Sequence, residues 1–293
     1  QAQFMDVAGT IEPLQPQEGT AEQFPEQLAD ISYGRVGHPA GEQPAYGYFQ
    51  SPTSAQPNGE TADWAGLVGP VTFSVERGFY DTPVTLELAT ATRGAAIRYT
   101  TDGSEPTETR GAVYTAPLTI ETTTLLRAAA FKPDFRASTV DTHTYIFLDE
   151  VLAQPKDPPG FPKTWGGYRG SPVPADYELD PEVVNDPRYR GLIKEALQTI
   201  PTLSLVTDIQ SFHDLYANPR RRGRAWERPV SVELIDPQQR QPGFQINAGL
   251  RMHGELGRAE YIPKHPLRLF FRREYGAARL HYPLFPGSPV EEF

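Results

Sequence analysis

Proline and glycine punctuate this chain more densely than a helical protein tolerates, with 30 prolines and 25 glycines in 293 residues. Proline lacks the backbone N–H and clashes with the preceding helical turn, and glycine pays a high entropic cost inside regular elements. The pair favours short strands, turns and extended connections and argues against long helical bundles. Hydrophobic residues make up 38%, enough for modest cores, and the length suits two or three domains. There is no cysteine, which excludes a disulfide framework, a cysteine-ligated zinc site and a thiol nucleophile. The net charge of −10 argues against nucleic acid as a partner, since phosphate backbones demand a basic face. No apolar run approaches the roughly 18–20 residues needed to span a bilayer. Gln1–Asp6 has neither a basic stretch nor an apolar run of the signal-peptide kind, and the expectation is a segment whose true start lies upstream.

Residues 1–25 are polar and proline-interrupted and suggest a flexible tail. Asp30–Arg35 and Tyr46–Phe49 read as two short strands around a loop. Between 67 and 148 the period-two signal is clean. Val71, Phe73 and Val75 alternate with Thr72 and Ser74, and Val84, Leu86 and Leu88 with Thr85 and Glu87. Ala96–Thr101, Leu118–Ile120, Thr124–Phe131 and Thr142–Phe147 complete about seven strands, with Asp102-Gly103 supplying a tight hairpin turn. The expectation is a small antiparallel sandwich. Further on, Asp186-Pro187 opens a helix running through Leu192, Ile193, Ala196, Leu197 and Ile200, stopped by Pro201. Asp208 caps a second helix through Leu215. Strands are expected at Leu203–Val206, Val230–Leu234, Phe244–Met252 and Leu267–Phe271.

Gly254–Lys264 is the segment with the clearest chemical meaning. A glycine-bearing turn between two strands lets backbone N–H groups approach a phosphate, and Arg258 and Lys264 supply positive charge. The same pattern suits a solvent-exposed hairpin with a surface lysine. His253 and Glu255 offer only two converging ligands, too few for a metal site. Arg220–Arg224 reads as an exposed basic loop with an anion site as the alternative. Phe161, Trp165 and Tyr168 read either as a sugar-stacking platform or as a loop anchored on a core, and Trp64 as a linker anchor.

Three stretches resemble known families. Ile97–Thr107, with its "YTTDGSEPT" phrase, together with Tyr114, Pro117–Ile120 and Leu126–Lys132, is very similar to the chitobiase/β-hexosaminidase C-terminal module. That resemblance implies an immunoglobulin-like accessory domain of secreted and surface proteins, without hexosaminidase catalysis. Asp30–Asn58 resembles the closing strands of bacterial lamin-tail domains, departing from their phrase at Ser54 and Gln56. Asp176–Pro181, Ile200–Leu205, Arg224–Pro229, the run Gly249–Gly254, Arg258, Pro263-Lys264, Leu267–Phe270, Tyr275-Gly276 and Tyr282–Phe285 resemble the N-terminal part of CotH-type kinases. Gly257 and Pro266 depart from that family's pattern.

The fold class expected is therefore mainly β with an α+β C-terminal part: an immunoglobulin-like sandwich followed by an incomplete kinase-like domain. The domains are 1–66 (end of a lamin-tail-like domain and linker), 67–148 (the module) and 149–293 (CotH kinase-like). The kinase resemblance implies that Lys264 contacts ATP phosphates, that Arg258 braces the loop around Gly254, and that ATP and magnesium serve the full-length protein, with neither expected to be held tightly by this chain. It also implies that the catalytic acids lie downstream, so this chain is expected to be inactive alone, with strands 244–285 left as an exposed apolar patch. A protein substrate or a cell-surface carbohydrate is the expected partner, and the location extracellular or on the cell surface. The alternative function is a carbohydrate-binding or adhesion scaffold.

Overall fold

The computed structural model describes residues 3–5, 11–13, 31–36, 45–51, 61–262, 264–285 and 287–293. The strands are β1 Gln3–Met5, β2 Ile11–Pro13, β3 Ser32–Arg35, β4 Tyr46–Phe49, β5 Gly66–Leu67, β6 Val71–Phe73, β7 Gly78–Phe79, β8 Val84–Leu86, β9 Leu88–Thr90, β10 Ala96–Thr100, β11 Ala112–Val113, β12 Leu118–Ile120, β13 Thr124–Phe131, β14 Phe135–Arg136 and β15 Asp141–Ile146. There follow α1 Leu148–Leu152, β16 Thr164–Tyr168, β17 Ser171–Pro174, α2 Pro181–Val184, α3 Ile193–Leu197, β18 Thr202–Val206, α4 Ile209–Ala217, β19 Arg228–Ile235, β20 Phe244–Met252 and β21 Leu267–Phe270. The fold is mainly β with an α+β C-terminal part. No described helix is long and apolar enough to cross a membrane.

Two compact units emerge. One joins Gln1–Pro70, Thr90–Ala96 and Ala130–Ser138; the other joins Val71–Ala89, Ile97–Ala129 and Thr139–Phe293. In the first, β3 pairs antiparallel with β4, and Tyr33 packs between Tyr46 and Tyr48 at ring separations of 6.0 and 5.0 Å. Trp64 bridges the Tyr48 backbone and carries the Arg136 guanidinium over its ring. β5 runs parallel to β14. Gly66 is required there, because a Cβ would lie 2.4 Å from the Phe135 ring. Most of the tail at 1–25 and most of the Ser51–Asn58 phrase lie outside the described residues.

In the second unit a five-stranded sheet has the order β11-β10-β13-β15-β7, with separate pairs β12-β8 and β6-β9. Leu86, Leu126, Ala128 and Tyr145 are wholly buried. The sheet is not purely antiparallel: β7 runs parallel to β15, Tyr145 opposite Gly78, because the Glu76–Arg77 turn carries the chain to that edge. Asp102-Gly103 is not a two-residue hairpin turn either. β10 pairs with β11 across a ten-residue-scale loop, and Asp102 Oδ1 accepts from Ser104 N at 3.0 Å and Ser104 Oγ at 2.6 Å. A short polar side chain competing for local N–H groups makes a turn of its own rather than a strand reversal.

The C-terminal part is built on an antiparallel sheet of order β18-β19-β20-β21. Alternation divides it. Val230, Val232, Leu234, Ile246, Ala248, Leu250 and Met252 face a core with Trp165, Leu215 and Tyr216. Asp208 caps α4 as expected, accepting from Ser211 N at 2.9 Å. Trp165 lies in strand β16 rather than in the expected loop and is buried in the core, its ring 4.5 Å from Tyr216 and edge-on to Tyr177 and Phe212, so it cannot serve a stacking platform. The opposite face is polar: Ser204 and Gln245 flank Glu233, and Asn247 lies opposite Ser231. β15 covers this face. Thr144 N donates to Glu233 Oε1 at 3.0 Å, Thr144 Oγ1 also reaches Glu233 and meets Ser204 Oγ at 2.8 Å, and Asn247 Nδ2 donates to Val140 C=O at 3.2 Å. Ile146, Leu148 and Ile235 add an apolar seam.

Two expectations fail here. The helix across 187–200 shrinks to α3, because Gly191 interrupts it and Leu192 and Ile200 project into solvent. The five strand residues expected to be bare across 244–285 are covered, Leu250 and Met252 buried and Leu267, Leu269 and Phe271 packed against the same core, while Leu256, Tyr261 and Phe285 outside the strands are exposed.

Candidate anion-binding cleft

At the end of β20 the chain reaches Gly254 with φ +83, a left-handed value that glycine adopts without strain. It then makes one 3₁₀ turn, Leu256–Arg258, before returning as β21. His253 N donates to the Pro266 carbonyl at 2.8 Å, closing the strand pair above the loop. Gly257 and Pro266 are in close approach: a Cβ at 257 would stand 2.6 Å from Pro266 Cγ. His265, buried, pins the loop through Nδ1 to Gly257 C=O at 2.7 Å.

Beside this loop a cleft of about 460 Å³ is lined by Arg221, Arg222, Arg251, Arg258 and Arg268, with Glu255 as the one carboxylate. Arg251 and Arg268 stand directly opposite each other in the β20–β21 register, a like-charge pairing that costs stability unless something neutralises it. Arg251 is oriented by stacking on Phe270 at 3.9 Å and by Glu227 at 3.7 Å beneath it. Gly249 makes room for that carboxylate, since a Cβ would lie 2.6 Å from Glu227 Oε1. Arg268 Nη2 lies 3.1 Å from His253 Nε2. Arg258 is buried and donates Nε to Gly254 C=O. Burial first, then the Arg222 charge, holds its pKa below the ordinary arginine value.

Gly254 and Arg258 thus line one cleft, and the Arg220–Arg224 loop contributes Arg221 and Arg222 to it. Lys264 does not line it: its side chain is 75% exposed and 3.8 Å from Asp176. His253 is occupied by Arg268, and no group of three or more metal-ligating side chains occurs among the described residues. Sequence reasoning missed Arg251 and Arg268. Their signal was available, since both are basic residues set among alternating apolar ones on consecutive strands, but only the register places them opposite each other.

The class defined by this architecture is a β-rich protein with an α+β part. Residues 75–143, which include the "YTTDGSEPT" phrase, match the chitobiase/beta-hexosaminidase C-terminal domain family. No curated protein and no solved structure matches the chain.

Proposed function

We propose that the α+β part binds the phosphates of a nucleotide in the arginine cleft, within an extracellular or cell-surface bacterial protein of the CotH kinase type that carries the chitobiase-type module as an accessory domain. The observation that carries the reading is the convergence of five guanidinium groups on one cleft beside Gly254, where Arg222 has Glu255 at 3.9 Å and Arg251 has Glu227 at 3.7 Å and the lining stays net positive. Guanidinium groups bind phosphate oxygens bidentately, and backbone N–H groups in a glycine turn cradle them. The resemblance of residues 150–293 to CotH-type kinases supplies ATP as the nucleotide and protein as the acceptor class. Magnesium finds a single lining carboxylate, Glu255, so no residue is assigned to the metal.

The test is calorimetric titration of the full chain with pyrophosphate and with ATP, with and without magnesium, at low and high salt. Binding that weakens with salt and falls at least tenfold in Arg221→Ala/Arg222→Ala is the expected result. No binding of either ligand, or unchanged binding in that variant, overturns the reading.

A further inference from the structure

We propose that a second cleft, where the Glu76–Arg77 turn of the module faces the connection between β19 and β20, binds an uncharged saccharide. The cleft measures about 490 Å³, within the range of small-ligand sites and large enough for one or two sugar rings. Its chemistry differs from that of the arginine cleft. Glu76 and Arg77 contribute one charge of each sign, and the carboxylate of Asp236 is consumed by Arg240 at 3.1 Å. Nothing in the lining selects a charged ligand.

What remains is amide and aromatic. Gln239, Gln241 and Gln245 line the cleft, and an amide both donates and accepts, as sugar hydroxyls require. Gln245 Nε2 is committed to Ser231 Oγ at 2.7 Å and Asn247 Oδ1 at 2.9 Å, which leaves its amide oxygen as the acceptor of that side chain. Arg77 is committed elsewhere, Nη1 to Glu233 at 3.3 Å and Nη2 to Asp141 at 3.4 Å, so the glutamine amides carry the polar recognition. The half-buried Phe244 ring, edge-on to Tyr282 at 4.8 Å, gives the apolar flank that a sugar's C–H face needs.

The cleft is also preorganised, which limits the ordering cost of binding. Asp236 holds the turn through Gln238 N and Arg240 N, both at 3.1 Å, and Tyr282 Oη donates to Pro242 C=O at 2.7 Å. Gly243 is fixed by close approach, because a Cβ would meet the Leu234 carbonyl oxygen at 2.2 Å. Module and sheet both contribute, so the site exists only where the two are docked. The inference does not depend on the nucleotide reading.

The experiment is saturation-transfer NMR on the full chain with chitobiose, cellobiose and maltose, followed by calorimetry of any that bind. At least one disaccharide is expected to receive saturation. Glu76→Ala/Gln241→Ala is expected to weaken its binding at least tenfold, and Gln239→Ala to act in the same direction, at unchanged melting temperature. Arg221→Ala/Arg222→Ala leaves it intact, which separates this site from the arginine cleft. Absence of transfer to all three sugars overturns the proposal, as does binding that survives both the double variant and Gln239→Ala.

Discussion

Gly103 lies so close to Thr207 that a Cβ on it would stand 2.5 Å from the Thr207 carbonyl oxygen. The signature loop of the module is therefore the face that meets the α+β part, just ahead of the α4 cap Asp208. Arg127, buried in β13, holds that loop by donating from Nη1 to Gly103 C=O at 3.0 Å.

Gly103→Ala tests this contact, with Gly94→Ala as the control. The two glycines share almost the same φ, +78 and +79, but nothing lies within 4 Å of a Cβ at 94. Both substitutions bear the left-handed penalty of roughly 1–2 kcal/mol; only Gly103→Ala adds a backbone clash. Urea denaturation is expected to show Gly103→Ala less stable than Gly94→Ala by about 1 kcal/mol or more. Equal losses would mean that the loop does not dock on Thr207.

Glu233 is wholly buried, with Arg77 Nη1 at 3.3 Å and Thr144 on both carboxylate oxygens. Removing one partner of a buried ion pair strands the other, at about 3–5 kcal/mol, whereas replacing both with apolar groups is often nearly neutral. Glu233→Leu is expected to destabilise the chain strongly, and Arg77→Met/Glu233→Leu to recover most of the loss. A double-mutant cycle from thermal unfolding reads the coupling; additive losses would contradict it.

His143 gives this joint a pH dependence. It stacks on Phe73 at 3.9 Å with Arg77 Nη2 3.0 Å from Nε2. Burial, then the Arg77 charge, lowers its pKa from 6.5 to about 3. Below pH 6.5 the unfolded chain takes up a proton that the folded chain refuses, so this contribution to stability is lost as the pH falls from about 6.5 towards 3. Asp141 and Glu233 act in the opposite sense: burial raises both, and acidification relieves the cost of keeping them charged. His143→Phe removes only the first effect. Denaturation at pH 7, 6, 5 and 4 is expected to show a shallower loss in the variant, by up to about 1.4 kcal/mol per pH unit. Parallel profiles would remove His143 from the account.

Gly257 and Pro266 are coupled by contact. Gly257→Ser alone is expected to destabilise the loop by about 1–3 kcal/mol, the usual cost of overpacking, because its Cβ meets the Pro266 ring. Pro266→Ser in the same chain relieves the clash. Hydrogen exchange of the β20 and β21 amides would show the single variant deprotected and the double variant restored. Additive behaviour would mean that the two positions are not energetically coupled.

Much of this was legible from residue patterns. Alternation located β19, β20 and β21 to within a few residues, Asp208 announced α4, and the "YTTDGSEPT" phrase identified the module. Gly254 and Arg258 line the same cleft, since a few residues of tight loop leave them little freedom to separate. Arg251 and Arg268 escaped notice because their pairing depends on strand register, and the basic loop at Arg220–Arg224, read with an anion site as the alternative, could not be joined to Gly254 because it packs back from some 30 positions away. The helix across 187–200 was overread because apolar spacing alone does not weigh the glycine within it.

The sequence by itself determined which side chains share a face: in a strand the period of two is dictated by backbone geometry, whatever surrounds it. It could not determine what covers each face. Ser204, Ser231, Glu233, Gln245 and Asn247 carry the pattern of a solvated surface, yet Ser231 and Glu233 are wholly buried. Only the tertiary structure supplies Thr144, 89 positions before Glu233, and the Val140 carbonyl that takes the Asn247 amide. A polar group can be buried when a matching donor or acceptor meets it, and that partner is a property of the packed chain rather than of any local stretch.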